Sequence, residues 1–467
     1  MAPERTPGAR AVPLLVACAL FMETLDASII TTALPAIAAS LGEDPLALSL
    51  AVTSYLLSLA VFIPVSGWVA DRFGGRAVFR AAILVFTIGS IACGLADSLE
   101  ALVAARIVQG LGGAMMVPVG RLILLRTVPK AGLLRAMAFM TLPALVGPVI
   151  GPPLGGMMAT YASWRWIFFV NVPIGVIGFV LVSWLIRERY GAEARPMDWT
   201  GFALVGVGLA GTMLGLESLG RGILPGALSA VLLGGGAAAL GLYVGHARRH
   251  AHPVIDLTLM RIPTFRAAML GGLWFRVSIG AIPFLLPMML QLGFGLSPFA
   301  SGLITFAGAA GALTMKMLAA PILRRFGFRR VLLVNTVVSG ALLMGYALFE
   351  PTTAHGLIIV VLLIGGFFRS LQFTALNTLC YADTPPEQMS RATSLVGVGQ
   401  QVTQSLGVGL AAITLHLTLA QADRSALAAD DFDPAYIGIG ALSFVSFYYF
   451  FRLARDAGAE VSGHKAG

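Results

Sequence analysis

Seven ionisable residues sit inside long, otherwise apolar stretches: Glu23, Asp26, Arg106, Arg121, Arg276, Lys316 and Arg369. A charge near the centre of a bilayer costs about 2.5–3.5 kcal/mol on insertion scales, so such residues normally face a bundle interior or a watery cavity. Glu23 and Asp26 are three positions apart and share one helical face. Two carboxylates in one low-dielectric site do not both ionise readily, which suits loading and unloading of a proton near neutrality. Asp26 lies about 21 Å along a helix begun near residue 12, past the midplane. A polar packing contact near the interface is the structural alternative. Arg106 also needs a partner, and Glu23 and Asp26 are the only acids well inside a span. Pairing with either one makes a contact that protonation abolishes; a snorkelling arginine is the alternative. Gln109, one turn on, is a polar neighbour and a candidate for the substrate cavity.

The elements that must position these groups follow from composition. The chain has 467 residues, 57% of them hydrophobic and only 11% charged, with a mean hydropathy of +0.87. A soluble protein carries about 25% charged residues. That shortage excludes a cytosolic enzyme, a secreted disulfide scaffold, a disordered chain and a nucleic-acid-binding domain. Crossing a bilayer takes about 20 apolar residues, and fourteen stretches qualify: 12–35, 47–70, 77–97, 101–126, 136–160, 166–186, 199–218, 225–246, 265–292, 299–322, 331–350, 356–379, 391–419 and 434–452. With the N-terminus inside, twenty-three basic residues fall in cytoplasmic loops and tails, against only Arg165, Arg221 and Arg424 on the opposite side. This bias sets the orientation and places both termini in the cytoplasm. Three cysteines, Cys18, Cys93 and Cys380, make no metal spacing and read as small core residues.

Arg72-Phe73-Gly74-Gly75-Arg76 recurs 253 residues later as Arg325-Phe326-Gly327-Phe328-Arg329. Six helices plus a two-helix insert account for that offset. The expected organisation is a cytoplasmic N-terminus (1–11), a six-helix bundle (12–190), a two-helix insert with flanking loops (191–253), a second six-helix bundle (254–452) and a cytoplasmic tail (453–467). Paired bundles of this kind hold substrate near the midplane and rock around it.

Four motifs extend the pattern. Leu25-Asp26-Ala27-Ser28-Ile29-Ile30 lies in the first helix, and Leu102-Val103-Ala104-Ala105-Arg106-Ile107-Val108-Gln109-Gly110-Leu111-Gly112 in the fourth. Gly67-Trp68-Val69-Ala70-Asp71-Arg72-Phe73-Gly74-Gly75-Arg76 joins the second and third. Here Gly67 permits close helix approach, and Asp71 can accept hydrogen bonds from a helix N-terminus or pair with a nearby arginine. Gly147-Pro148-Val149-Ile150-Gly151-Pro152-Pro153-Leu154-Gly155-Gly156 combines small residues at four-residue spacing with helix-bending prolines.

Together these motifs resemble those of the major facilitator superfamily, specifically its fourteen-helix drug:proton antiporters. The resemblance implies an all-α membrane protein that exports small molecules, amphipathic drugs or toxic metabolites, across the bacterial inner membrane by alternating access. It implies proton coupling through Asp26, Glu23 and Arg106. It implies gating through Gly67, Asp71, Arg72, Gly74 and Arg76, and an antiporter motif carried by Gly147, Gly151, Pro152, Gly155 and Gly156. A proton gradient supplies the energy, and no cofactor, metal, ATP or nucleic acid is expected. The partners expected are the small-molecule substrate, protons and the lipid bilayer, and the chain is expected to be a monomer rather than an enzyme or an assembly.

In the second half, Arg276, Arg369, Gln372, Gln400 and Gln401 are candidates for the cavity wall. Arginines there favour an anionic or carboxylate-bearing substrate, so a carrier for an anionic metabolite is the alternative function. His246 and His250 have the spacing of helical metal ligands, but with His252, Arg248 and Arg249 around them the stretch reads as a basic loop near anionic lipid. Asp423, Asp430, Asp431 and Asp433 read as a solvated outer loop.

Overall fold

The computed structural model describes residues 8–43, 48–140, 142–186, 196–221, 224–296, 298–422 and 428–464. Their regular structure is helical throughout. This is what lipid requires, because a lone helix satisfies its backbone hydrogen bonds internally. The chain runs through α1 (Gly8–Leu41), α2 (Ser49–Phe62), α3 (Ser66–Phe73), α4 (Gly75–Gly94), α5 (Leu99–Thr127), α6 (Lys130–Met140), α7 (Leu142–Tyr161), α8 (Trp166–Phe169) and α9 (Asn171–Leu185). It continues through α10 (Trp199–Arg221), α11 (Gly226–Ala247), α12 (Pro263–Arg266), α13 (Gly272–Gly280), α14 (Ile282–Met288), α15 (Pro298–Gly345), α16 (His355–Ala382), α17 (Met389–Ala422), α18 (Asp433–Leu442) and α19 (Val445–Phe451).

Twelve stretches among the described residues are long and apolar enough to cross a membrane, against the fourteen expected. One of them, Ala300–Leu348, covers two expected spans in 49 residues and is broken at Gly327. The expected span 136–160 falls on α6 and α7, where several side chains lie outside the described residues.

By internal contacts the chain divides into two compact units. The first is Met1–Ala210, Ala239–Leu257 and Pro385–Val398; the second is Gly211–Ala238, Thr258–Thr384 and Gly399–Gly467. The sequence repeat appears in both as one backbone device. Gly74 in the first unit has φ 84° and Gly327 in the second has φ 70°, a conformation in which a side chain would be strained. The arginine two residues after each glycine donates to a main-chain carbonyl: Arg76 Nη2 to Ser183, and Arg329 Nη2 to Phe451 at 2.8 Å.

In the first unit α5 is the central helix. Ser98 caps its start by accepting the Ala101 N–H at 3.2 Å. Glu100 in its first turn and Arg126 in its last complement the helix dipole. Gly110 and Gly112 then let it close on its neighbours. A Cβ on Gly110 would lie 2.6 Å from Ser58 Cβ of α2, and one on Gly112 would lie 2.5 Å from the Phe86 nitrogen of α4. Cys93 and Cys380 are buried as expected, whereas Cys18 is exposed.

Candidate functional site

Close packing of α5 carries Arg106 and Gln109 into the middle of the first unit. Arg106 Nη1 donates to Asp26 Oδ2 at 2.6 Å, and both side chains are fully buried. Arg106 Nη1 also donates to Gln109 Oε1 at 2.6 Å, and its Nε donates to the Ala51 carbonyl at 3.1 Å. The guanidinium carbon lies 4.2 Å from the centroid of the buried Tyr55 ring, within cation–π range. Asp26 Oδ1 accepts from Gln109 Nε2 at 2.7 Å and from Asn171 Nδ2 at 2.9 Å. Ser90 Oγ accepts from the same two amides, at 2.8 and 3.4 Å. The result is a closed polar box of Asp26, Arg106, Gln109, Asn171 and Ser90. Ile29, Ile30, Ala33, Ala51, Leu102, Ala105 and Phe168 belong to an apolar cluster beside it.

Of the two acids, Asp26 takes the guanidinium. Glu23 stands apart: its Oε2 has no hydrogen-bond partner among the described residues, and the cation whose charge acts on it is Arg121. Gln109, expected on the cavity wall, is a correction, because its side chain is buried and both ends of its amide are engaged in the box.

The glycine motif on α7 lies directly against this stretch of α1. A Cβ on Gly147 would sit 2.5 Å from Thr24 Oγ1, and one on Gly151 would collide with Ser28 Oγ. Ser28 Oγ donates to the Gly147 carbonyl at 3.1 Å. Asp26 is therefore bracketed by two close approaches of α7. Gly155 is buried, while the side-chain surroundings of Pro152 and Gly156 lie outside the described residues.

Asp71 sits at the other motif, still in the first unit. It accepts from Arg126 Nη2 at 3.0 Å and from Ser390 Oγ at the start of α17. Gly67 allows that approach: its N–H donates to Ser394 Oγ at 2.9 Å, and a Cβ there would lie 2.6 Å from the Ser390 carbonyl oxygen. Arg72 is exposed.

The second unit holds the remaining cations. Arg276 Nη2 and Gln400 Nε2 both donate to Asn377 Oδ1, at 3.1 and 2.8 Å. One turn earlier on α16, Thr374 Oγ1 accepts from Lys316 Nζ at 2.8 Å, and Lys316 is only 7% exposed. Arg369 lies against Gly308, and its buried Nη1 has no hydrogen-bond partner among the described residues. Gln401 is half-buried. Gln372 is a second correction: it is fully buried and ties α16 to the later half of α15, donating to Thr336 Oγ1 at 3.0 Å. Asp431 is likewise buried rather than solvated, accepting the Ala428 N–H at 2.8 Å.

The sequence profile of the Major Facilitator Superfamily matches residues 16–408, with a further match over 268–465. The chain belongs to the Major Facilitator Superfamily. It is thus a multi-pass membrane transporter of small molecules and not an enzyme. Among its relatives, the MdtD protein of Salmonella newport (strain SL254), named for multidrug resistance, is 42% identical over 407 residues, covering 86% of each chain. MdtD of Cronobacter sakazakii is 42% identical over 405 residues, covering 86% of this chain and 85% of its own. Two solved facilitators share the fold. The human organic anion transporter MFSD10 gives a TM-score of 0.68 at 14% identity, over 95% of this chain and 99% of its own. The proton:xylose symporter XylE gives 0.68 at 13% identity, over 97% and 98%.

Within this facilitator the sequence does not single out Asn171, Ser90 or Tyr55 as site residues. All are uncharged, so none carries the insertion penalty that marks Asp26 and Arg106. The one available signal is Asn171 opening α9 just after Trp164-Arg165-Trp166, a polar residue where an apolar helix begins.

Proposed function

We propose that this protein exports amphipathic drugs or toxic metabolites in exchange for protons, with Asp26 as the proton-binding group and Arg106 as its charge partner. The observation that carries this reading is the fully buried Asp26–Arg106 contact at 2.6 Å. Removing one partner of such a pair leaves an uncompensated buried charge, at about 3–5 kcal/mol. Protonating Asp26 cancels the attraction without that residue loss, so one proton biases the box between a tight and a loosened arrangement. The Gly147–Ser28 bond transmits the change to α7, which serves as hinge and seal. Asp71, held by Arg126 and Ser390, acts as the latch of one conformation, with Gly67, Gly74, Arg72 and Arg76 shaping its loop. Glu23 assists at the edge of the pathway.

One proton crossing 100 mV releases about 2.3 kcal/mol, enough for a roughly fiftyfold gradient of a neutral solute at one-to-one coupling. In this reading the protein is a monomer in the bacterial inner membrane with both termini in the cytoplasm, and it needs neither cofactor nor ATP. Export, rather than uptake, is supported by the glycine-proline motif on α7 and by relatives named for multidrug resistance.

Asp26→Asn in proteoliposomes tests the assignment. Substrate-dependent proton movement is expected to disappear; proton-coupled efflux that survives the substitution would overturn it. The second unit favours a further reading of the cargo. Lys316 has one hydroxyl as its hydrogen-bond partner among the described residues, and Arg369 keeps a buried nitrogen unbonded. Deep cations of this kind suit an anionic or carboxylate-bearing substrate. Arg369→Ala is then expected to reduce transport of anionic compounds selectively, and equal transport of anions by both forms removes this reading.

A further inference from the structure

Asp198, immediately before α10, His246, in the last turn of α11, and His250, just past that helix, converge in the first unit. The ligand atoms of the three side chains all lie within 4.8 Å of one another. Three atoms so spaced have a common centre within about 2.8 Å of each, less than 1 Å beyond the 2.0–2.2 Å at which zinc binds imidazole and carboxylate. His250 lies three residues past α11, but its N–H donates to the His246 carbonyl at 3.0 Å, so one further turn sets the two rings side by side at the spacing that helical zinc sites use.

The site is also braced. Asp198 is 4% exposed, and its Oδ1 accepts the Gly201 N–H at 2.8 Å while its Oδ2 accepts the Val254 N–H at 3.3 Å. These two main-chain bonds fix the direction of the carboxylate, whose Oδ1 lies 2.8 Å from His246 Nε2. The Tyr243 hydroxyl donates to the Ile255 carbonyl at 2.8 Å and accepts the Ile255 N–H at 2.7 Å, fixing the chain that returns past the site.

A simple helix fastener would need only the 2.8 Å contact between His246 Nε2 and Asp198 Oδ1. It leaves His250 unexplained. That ring stacks on His246 at 5.0 Å between centroids, and its own bond is to the His252 N–H at 3.2 Å. We infer that Asp198, His246 and His250 form a binding site for a first-row divalent cation, zinc or a cation of similar preference, which clamps the start of α10 to the end of α11. Two imidazoles and a carboxylate suit that class and leave a coordination position for water. The cation would sit between His246 Nε2 and Asp198 in place of their direct contact. Nothing in proton-coupled export requires this site, so the two stand or fall separately.

The test uses the purified full-length protein, with any polyhistidine tag cleaved, titrated with Co2+ and with Zn2+ alone. One ion per chain is expected, with the visible absorption of tetrahedral Co2+ and a rise in Tm on Zn2+ addition. Loss of an outer-shell partner already costs 10–100-fold in metal affinity, so His250→Ala is expected to weaken binding at least about tenfold and to abolish the Tm rise. His250 is the informative position because its removal leaves the His246–Asp198 contact intact. Arg249 lines the same concavity as the two histidines and its charge opposes a dication, so Arg249→Gln is expected to tighten binding. Equal binding by wild type and His250→Ala, or no binding by either, overturns the site.

Discussion

Asn171 and Asp26 are 145 residues apart in sequence and joined by a 2.9 Å hydrogen bond inside the first unit. The amide at the start of α9 thus sets the carboxylate that α5 pairs with a guanidinium. Gln109 supplies a second amide to the same Oδ1 at 2.7 Å. Each donor fixes the direction of the carboxylate, and a fixed direction is what allows protonation to be felt as a change of packing.

Asn171→Ala is therefore expected to impair coupling without removing the proton-binding group. It deletes one charge-assisted bond, worth about 1.5–3 kcal/mol. Proton flux per substrate exported should fall, while substrate binding in detergent is retained. A stoichiometry identical to that of wild type would show that Asn171 does not position Asp26.

A second expectation concerns the seam between α1 and α7. Gly151→Ala introduces a methyl that meets Ser28 Oγ, and overpacking of this kind costs about 1–3 kcal/mol. Thermal stability and transport should both drop. Adding Ser28→Ala removes the colliding oxygen, so the double variant is expected to recover part of the loss, a coupling that a double-mutant cycle reads directly. Strict additivity would place the effect elsewhere than this contact.

A pairing of Arg106 with an acid of α1 is legible in the sequence because charges are scarce in lipid, and Glu23 and Asp26 are the only acids well inside an expected span. The choice between those acids was not legible, since Glu23 and Asp26 share a helical face and only the seating of α5 separates them. The repeat foretold two like turns, and Gly74 and Gly327 both have positive φ. It could not foretell that the position 253 residues after Glu23 is Arg276 in an environment of amides, with Asn377 and Gln400 as partners. Ser390 reaches Asp71 across 319 residues, a separation over which local pattern carries no signal. Gln372 illustrates the same limit: helical period gives the face of α16, not the neighbour that face meets. Asp198 lies 48 residues before His246, so the metal spacing of His246 and His250 has no visible third ligand in the sequence, and the neighbouring arginines favour a basic loop.

Asp71 offers a third test. Its contact with Arg126 is about a quarter exposed on both sides, and pairs of that kind contribute only about 0–1 kcal/mol after screening. Asp71→Asn is accordingly expected to leave the melting temperature nearly unchanged. Transport should nonetheless fall, and accessibility labelling of the Asp71 end of the bundle should rise, because the carboxylate also holds Ser390. Ser390→Ala should reproduce part of that change. If labelling is the same in both variants and wild type, Asp71 does not act as a latch.

The last expectation is a pH dependence at α10. Burial disfavours the Asp198 carboxylate, yet the Gly201 and Val254 N–H groups and His246 overcome this and lower its pKa in the folded chain. A group with a lowered folded pKa binds fewer protons when folded than when unfolded, so it stabilises the fold above the ordinary carboxylate value of about 3.9. That contribution is lost as pH falls from there through the lowered folded value. Between pH 7 and 5 Asp198 should leave stability unchanged, and acidification below about 4 should loosen the start of α10 and the end of α11. Amide exchange at Gly201 and Val254 reads this locally. In Asp198→Asn the exchange rates, corrected for intrinsic pH dependence, are expected to be faster at neutral pH and to lose the acid-dependent step. An acid step of equal size in that variant would assign it to another group.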